Sequence, residues 1–394
     1  MKIIAILLLL LFSSITYAEE FTGIITKIIV DYEDSSETKY YLNNLELVFK
    51  KEINIIPNSN VLVSGIRKGN TIQVKDLSVV GLSFQALNLV PFIGPARVLI
   101  MRANFTDKKV GCVSLNDRIL NPNTDSVHKI YSEASEGLLN VTGDIIPDTF
   151  ELPFTAVWDN NIFSWRGILD AQATAAGYDI ASYNYFIYVV PPVQGGINGF
   201  SISNDNYIFN CGTTTIAHEL GHSFGLNHSA KIRTNGSIDE YGDHSDIMSN
   251  ITTVRKLNAP HQEFFRWVDN NPIISSSGIY TIYGLAANLG NPQILKIPVS
   301  NESFYYLSFR SPIGLDNSNV LESFRLGVNI HKYDTKAYAF ALTILYTTLV
   351  DGAIYTDPDN IFTARQISHN ADSVTVEITL ANTTNNPKAP TNIK

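Results

Sequence analysis

The segment His218-Glu219-Leu220-Gly221-His222-Ser223-Phe224-Gly225-Leu226-Asn227-His228 leaves this chain little freedom in how it folds locally. On a helix, residues four apart leave the same face one turn apart, so His218 and His222 can grip one metal ion. Gly225 follows three residues later, and glycine lets a helix end in a left-handed turn without steric cost. The chain can then double back, and His228 can approach the same ion from another direction. Three imidazoles leave the fourth position of a tetrahedral zinc open to water, which separates a catalytic zinc from a structural one. Glu219 sits beside the first of them. Its carboxylate can take a proton from a water whose pKa zinc lowers to about 7. Five fixed positions carry far more weight than a bare pair of histidines.

Composition and the N-terminus set the compartment. Met1-Lys2 precedes an apolar run from Ile3 to Phe12, then small and polar residues up to Ala18. This reads as a secretory signal peptide, residues 1–18, cleaved before Glu19 and too short to span a bilayer as a mature helix. Secretion, or export to a periplasm, is the expected localisation. The formal net charge is −9, which argues against nucleic acid as a partner. The chain has 394 residues, 45% hydrophobic and 16% charged, enough for more than one packed core. Cys112 and Cys211 are the only cysteines, and in an exported protein an even pair most simply forms a disulfide.

The fold class expected is α+β and multidomain. Residues 19–92 read as short alternating strands broken at Asp34-Ser35-Ser36, Pro57 to Asn60 and Lys68-Gly69-Asn70. They suggest a small β-barrel-like (OB-like) module, which is either a packing or binding domain or a removable pro-region. A linker near Leu89 to Pro95 leads into residues 95–271, an α/β catalytic domain with helices expected over Asp125 to Glu136 and Trp165 to Ala176. Strands are expected at Arg97 to Ala103, Leu138 to Thr142, Thr149 to Thr155 and Tyr183 to Val190. A span with several glycines, Gly195 to Asn204, precedes a strand near Tyr207 to Asn210. That last strand, directly before the zinc helix, is the expected edge of a cleft that would take an extended peptide as an added strand. Residues 272–380 return to short strands and read as a β-sandwich, and 381–394 as a disordered tail.

Met248 lies twenty residues beyond His228 and is one of only three methionines. With it, the H-E-x-x-H-x-x-G-x-x-H motif resembles the metzincin zinc endopeptidases. The phrases Tyr241-Gly242-Asp243-His244-Ser245, Asn258-Ala259-Pro260-His261, Tyr305 to Asp316 and Thr356 to Asn360 resemble the gametolysin family in particular. The resemblance, over about Arg97 to Leu380, implies a secreted zinc endopeptidase acting on protein or glycoprotein substrates. His218, His222 and His228 would be the metal ligands, Glu219 the general base, Gly225 the turn and Met248 the floor of the site. Two departures matter. Some metzincins carry a tyrosine two residues after the methionine, where this chain has Asn250. The N-terminal module also lacks a cysteine to block the zinc, so latency would need another ligand or steric cover.

Two other functions share these residues: a zinc amidohydrolase acting on cell-wall amides, and a catalytically silent matrix-binding or adhesive protein. Asp351, Asp357 and Asp359 offer a Ca2+ turn, though acidic turns form without calcium. His128, His244, His261, His331 and His369 are expected to pack or hydrogen-bond rather than catalyse. The oligomeric state is not legible.

Overall fold

The computed structural model describes residues 18–33, 35–50, 55, 59–81, 92–158, 162–285, 290–300, 303–319, 322–334 and 342–381. The expected signal peptide up to Tyr17, residues 89–91 of the expected linker and the tail beyond Ala381 lie outside the described residues. Among the described residues no helix is long and apolar enough to cross a membrane.

Five strands form the N-terminal module: β1 (Glu19–Asp31), β2 (Ser36–Leu42), β3 (Leu45–Val48), β4 (Asn60–Lys68) and β5 (Thr71–Gly81). Their pairings run in a cycle, β1 to β2, β2 to β3, β3 to β5, β5 to β4 and β4 back to β1. Period-two alternation sends Ile25, Leu42, Leu47, Val61, Val63 and Ile72 into one apolar core. With thirteen residues, β1 is long enough to serve two partners. Glu19–Ile24 pair with β4 and Ile25–Asp31 with β2, while Ile28–Asp31 also pair with a following strand, which joins the module to five more strands in one ten-stranded sheet.

That sheet contains β6 (Gly94–Asn104), β7 (Leu139–Glu151), β8 (Tyr185–Val189), β9 (Gly199–Ile202) and β10 (Asp205–Ile208), in the order β9-β10-β8-β6-β7. All are parallel except β9, which runs antiparallel to β10. A sheet covered on both faces needs near-continuous apolar strands, and Val98-Leu99-Ile100-Met101 in β6 supply one. Helices α1 (Leu115–Ile119), α2 (Val127–Ala134) and α4 (Thr213–Ser223) cover one face, and α3 (Ile162–Ala175) covers the other. Helix α2 starts after Ser126, whose side chain caps the Lys129 N–H, not at Asp125. One long strand, β7, replaces the two expected between Leu138 and Thr155.

The strand expected near Tyr207 to Asn210 as the edge of a cleft has neighbours on both sides. β10, the strand foreseen near Tyr207, is interior, and so is β9, drawn from the span with several glycines, because β1 pairs along its other side. A tight hairpin at Ser203-Asn204, where Ser203 adopts φ 55°, makes a strand of that span. A two-residue hairpin turn requires positive φ, and Ser-Asn is a weak signal beside Asn-Gly.

The C-terminal half holds β11 (Ser229–Ile232), β12 (Ile238–Asp239), α5 (Ala259–Phe264), β13 (Gly278–Tyr283), β14 (Ile294–Pro298), β15 (Ser303–Ser308), α6 (Leu315–Ser318), β16 (Asn329–Asp334), β17 (Thr343–Thr348), β18 (Ile354–Thr356), β19 (Phe362–His369) and β20 (Ser373–Leu380). Two sheets, β12-β11-β17-β16-β15-β14 and β13-β20-β19-β18, enclose a core including Leu295, Tyr305, Leu307, Phe362, Val374 and Val376. Strands from both sides of the expected 271/272 division share the first sheet: β11, immediately after His228, pairs in parallel with β17. Cys112 and Cys211 form a disulfide with Cα atoms 5.7 Å apart across a sequence separation of 99. It ties the segment before α1 to the residue next to the start of α4.

Candidate metal centre

Helix α4 owes its position to its apolar face. Ile216, Ala217 and Leu220 enter the core beneath the sheet, and the Tyr131 hydroxyl donates to the Ala217 carbonyl at 2.7 Å. A Cβ at Gly221 would collide with the Met248 sulfur and crowd the Tyr131 hydroxyl, so glycine allows Met248 to lie directly against the helix. At the C-terminus Gly225 has φ 102°, and the Leu226 N–H donates back to the Gly221 carbonyl at 2.9 Å. This left-handed closure turns the chain so that His228 faces His218 and His222.

Each imidazole is fixed through Nδ1. His218 Nδ1 lies 3.1 Å from the Ile247 carbonyl, His222 Nδ1 2.9 Å from the Leu226 carbonyl, and His228 Nδ1 2.7 Å from Glu240 Oε1. With each Nδ1 tied outward, the Nε2 atoms face one another. His228 Nε2 and His222 Nε2 are 3.2 Å apart, and the buried Nε2 of His218 has no hydrogen-bond partner. Such inward-facing nitrogens with outward-tied Nδ1 atoms suit a divalent cation between them.

A fourth group completes the cluster, and it comes from the N-terminal module. The Asp31 carboxylate, at the end of β1, places Oδ2 3.2 Å from His222 Nε2 and 3.6 Å from His218 Nε2, and Oδ1 3.0 Å from His228 Nε2. Among the described residues, Asp31, His218, His222 and His228 are the one group of side chains that could hold a metal ion, with ligand atoms within 4.8 Å of one another. Three imidazoles and one carboxylate form a donor set suited to zinc. The acidic turn considered for calcium is not such a group. Asp357 accepts hydrogen bonds from the Tyr305 hydroxyl and the Asp359 and Ile361 N–H groups, and Asp351 bonds Gln366 and His369.

Glu219 is fully buried one residue from the cluster. The Ser201 hydroxyl, on β9, donates to Glu219 Oε2 at 2.8 Å, while Oε1 is buried with no partner. Gly199 on the same strand approaches so closely that any Cβ would overlap the Glu219 carboxylate. Burial, and then the charge of Asp31, push the Glu219 carboxyl well above the usual carboxylate range. Burial alone would raise Asp31 too, but His228 and His222 hold it well below that range. Burial pulls His218 down to about 3. It also opposes charge on His228, yet Asp31 and Glu240 hold that imidazole up at about 9. A cation entering the cluster therefore displaces a proton.

Tyr241 and Glu240 flank the cluster. The Tyr241 ring lies 4.3 Å from that of His228, and its hydroxyl donates to Asp31 Oδ1 at 2.5 Å. Asn250, standing where some metzincins have tyrosine, donates from Nδ2 to the Glu33 carbonyl. Asp31, Ser201 and Glu240 were not visible as site residues from sequence. Asp31 gives one faint signal, an acidic residue closing the apolar run Ile28-Ile29-Val30, while an isolated Ser or Glu gives none. Because Glu240 orients His228, Glu240→Gln is expected to weaken zinc affinity roughly 10- to 100-fold. Competition with a calibrated chelator measures this, and an unchanged affinity would remove Glu240 from the support of the site.

A buried polar network carries the Met248 turn. Asp246 accepts from the Met248 N–H at 2.6 Å and the Asn258 N–H at 2.5 Å, and lies 2.9 Å from His261 Nδ1. Asp243 lies 3.0 Å from His331 Nε2 on β16 and accepts from Asn258 Nδ2 at 3.1 Å. His261, His331 and His369 all serve as hydrogen-bonding residues. Through Asn258 and His331 the six-stranded sheet that holds β16 supports the Met248 turn.

Comparison with known families finds a match to "Metallo-peptidase family M12B Reprolysin-like" over residues 169–229, from α3 through α4 to the start of β11. This supports a metzincin-type zinc metallopeptidase. A comparison with curated proteins finds no match. Among solved structures, one described as a chaperone–substrate complex aligns with 15% identity and a TM-score of 0.24, covering 54% of this chain and 38% of the other. The chain thus spans well under half of that structure, and so low a similarity carries no argument.

Proposed function

We propose that the chain is a secreted zinc endopeptidase cutting extended segments of extracellular protein or glycoprotein substrates. The observation that carries this reading is the convergence of three Nε2 atoms, each imidazole tied through Nδ1, beside a buried glutamate bonded to Ser201 of β9. His218, His222 and His228 would hold the zinc, which when bound polarises a scissile carbonyl and acidifies water.

The chain's own residues do the rest. Ser201 occupies Glu219 Oε2, which leaves Oε1 to accept a proton from the attacking water. Glu219 then delivers that proton to the leaving amine. A substrate strand laid on β9 brings its scissile bond to Glu219, because Gly199 offers no side chain to keep backbone and carboxylate apart. The Tyr241 hydroxyl now donates to a carboxylate oxygen inside the histidine cluster. In catalysis it would donate to the negative charge growing on the scissile carbonyl oxygen, the part a tyrosine at position 250 would otherwise play. Measured with Asp31 replaced by alanine, so that the hydroxyl is free to face substrate, Tyr241→Phe is therefore expected to lower kcat by about 10²–10³-fold. Zinc content should stay the same, and an undiminished kcat would reduce Tyr241 to packing.

Exposure to an oxidising compartment fits the Cys112–Cys211 disulfide. Metal analysis of the secreted chain tests the proposal. One zinc per chain, lost on chelation and absent from His222→Ala, is expected; a wild-type chain purified without chelators that holds no zinc would refute it.

A further inference from the structure

The N-terminal module does more than pack beside the sheet. Residues Ile28–Asp31 of β1 pair antiparallel with Gly199–Ile202 of β9, the strand that carries Ser201 and Gly199 against Glu219. An unpaired edge at that position would be the place for an extended substrate. Here it is filled by the chain itself, and the last residue of the pairing, Asp31, directs its carboxylate into the three histidines. Further contacts hold the segment down. The Asn198 N–H donates to the Asp31 carbonyl at 2.8 Å, the Ser36 hydroxyl donates to Glu240 Oε1 at 2.6 Å, and Asn250 Nδ2 donates to the Glu33 carbonyl. On the opposite face, Ile28 and Val30 are buried with Trp165 and Tyr207 in the core above the sheet.

We propose that the N-terminal module is a built-in inhibitor of the zinc endopeptidase: β1 lies on the substrate edge of β9, and Asp31 supplies the fourth metal ligand in place of water and substrate. The inference rests on the endopeptidase reading and names its regulation. The three points of attachment explain why one acidic residue suffices without a cysteine. The β9 pairing fixes the height of Asp31, the Ser36 and Asn250 contacts fix the turn beyond it, and Tyr241 binds the carboxylate oxygen that lies nearest His228. Activation consists of removing or displacing this segment, after which a water takes the position of the Asp31 carboxylate and β9 is free to pair with a substrate. Because the segment is tethered, it competes at an effective concentration on the order of millimolar, about 100-fold above a substrate at 10 µM.

The test uses the full chain loaded with Co2+, comparing wild type with Asp31→Ala, which vacates the ligand, and Asp31→Lys, which repels the segment from the cation. The visible absorption of the bound cobalt verifies that the three histidines still hold it, and acetohydroxamate added as a small metal-binding probe reports whether a position is open. Cleavage of reduced casein by the zinc-loaded chains is followed in parallel. The expected result is a wild-type spectrum that acetohydroxamate leaves unchanged, variant spectra that it shifts, and cleavage on the order of 100-fold faster in the variants. A wild type that binds acetohydroxamate and cleaves casein as the variants do would overturn the inhibitor and leave the endopeptidase reading standing. Variants whose cobalt spectra match wild type and stay insensitive to the probe would overturn it equally. Variants that open to the probe while neither cleaves casein would support the Asp31 block at the metal and refute the endopeptidase reading.

Discussion

In a chain carrying Asp31→Ala, the further substitution Glu219→Gln is expected to lower peptide-bond cleavage by roughly 10²–10⁴-fold while zinc content stays unchanged. The amide keeps the size of the carboxylate, and Ser201 can still donate to the remaining oxygen, so the local packing survives. What is lost is the acceptor for the proton of water. The separation of binding from chemistry follows from the positions of the groups. The three imidazoles are fixed by Ile247, Leu226 and Glu240, none of which touches Glu219 through those bonds. Initial rates on an unfolded protein, with metal analysis on the same samples, check the prediction. Equal rates in the two chains would remove Glu219 from the mechanism.

The second large effect is on stability. Asp243 is completely buried, and its two carboxylate oxygens receive the Ser245 N–H and hydroxyl on one side and Asn258 and His331 on the other. Asp243→Ala leaves His331 and Asn258 facing an apolar gap, and each buried donor left without its acceptor costs about 1–3 kcal/mol. Burial alone would raise the Asp243 carboxyl, but His331 and the hydrogen bonds from Ser245 and Asn258 hold it well below the usual range. A depressed carboxylate stabilises the fold in full above the unfolded aspartate pKa of about 3.9, and that stabilisation is lost as pH falls further toward the folded value. Urea unfolding at pH 7 should therefore separate wild type and Asp243→Ala by the full difference, and the gap should shrink below pH 4. Identical urea midpoints at pH 7 would contradict the account of this network.

What the sequence made legible was whatever depends on local spacing. The turn at Gly225 and the return of His228 follow from intervals along a single stretch, because helix geometry and the left-handed glycine turn fix them, whereas Met248 was singled out by the family resemblance alone. The Cys112–Cys211 disulfide was legible for another reason, there being one way to pair two cysteines. The hairpin at Ser203-Asn204 was hidden because Ser-Asn is an uncommon carrier of positive φ, so strand β9 passed for a loop. Asp31 and His331 lie 187 residues before and 113 residues after His218 by their numbers in the chain. Their roles come from tertiary pairings, β1 on β9 and β16 beneath the Met248 turn, that no local pattern encodes. The shared sheet of β11 and β17 was hidden for the same reason: a four-residue strand directly after a zinc motif gives no hint of a partner more than a hundred residues away.

The central claim, that this cluster hydrolyses peptide bonds, is tested most directly by sequencing the new N-termini that appear when an unfractionated extracellular proteome is incubated with the zinc-loaded Asp31→Ala chain, and with the same chain carrying Glu219→Gln. The account predicts a set of new N-termini with the first that is missing with the second. New termini appearing equally with both, or with neither while both hold one zinc per chain, would contradict it.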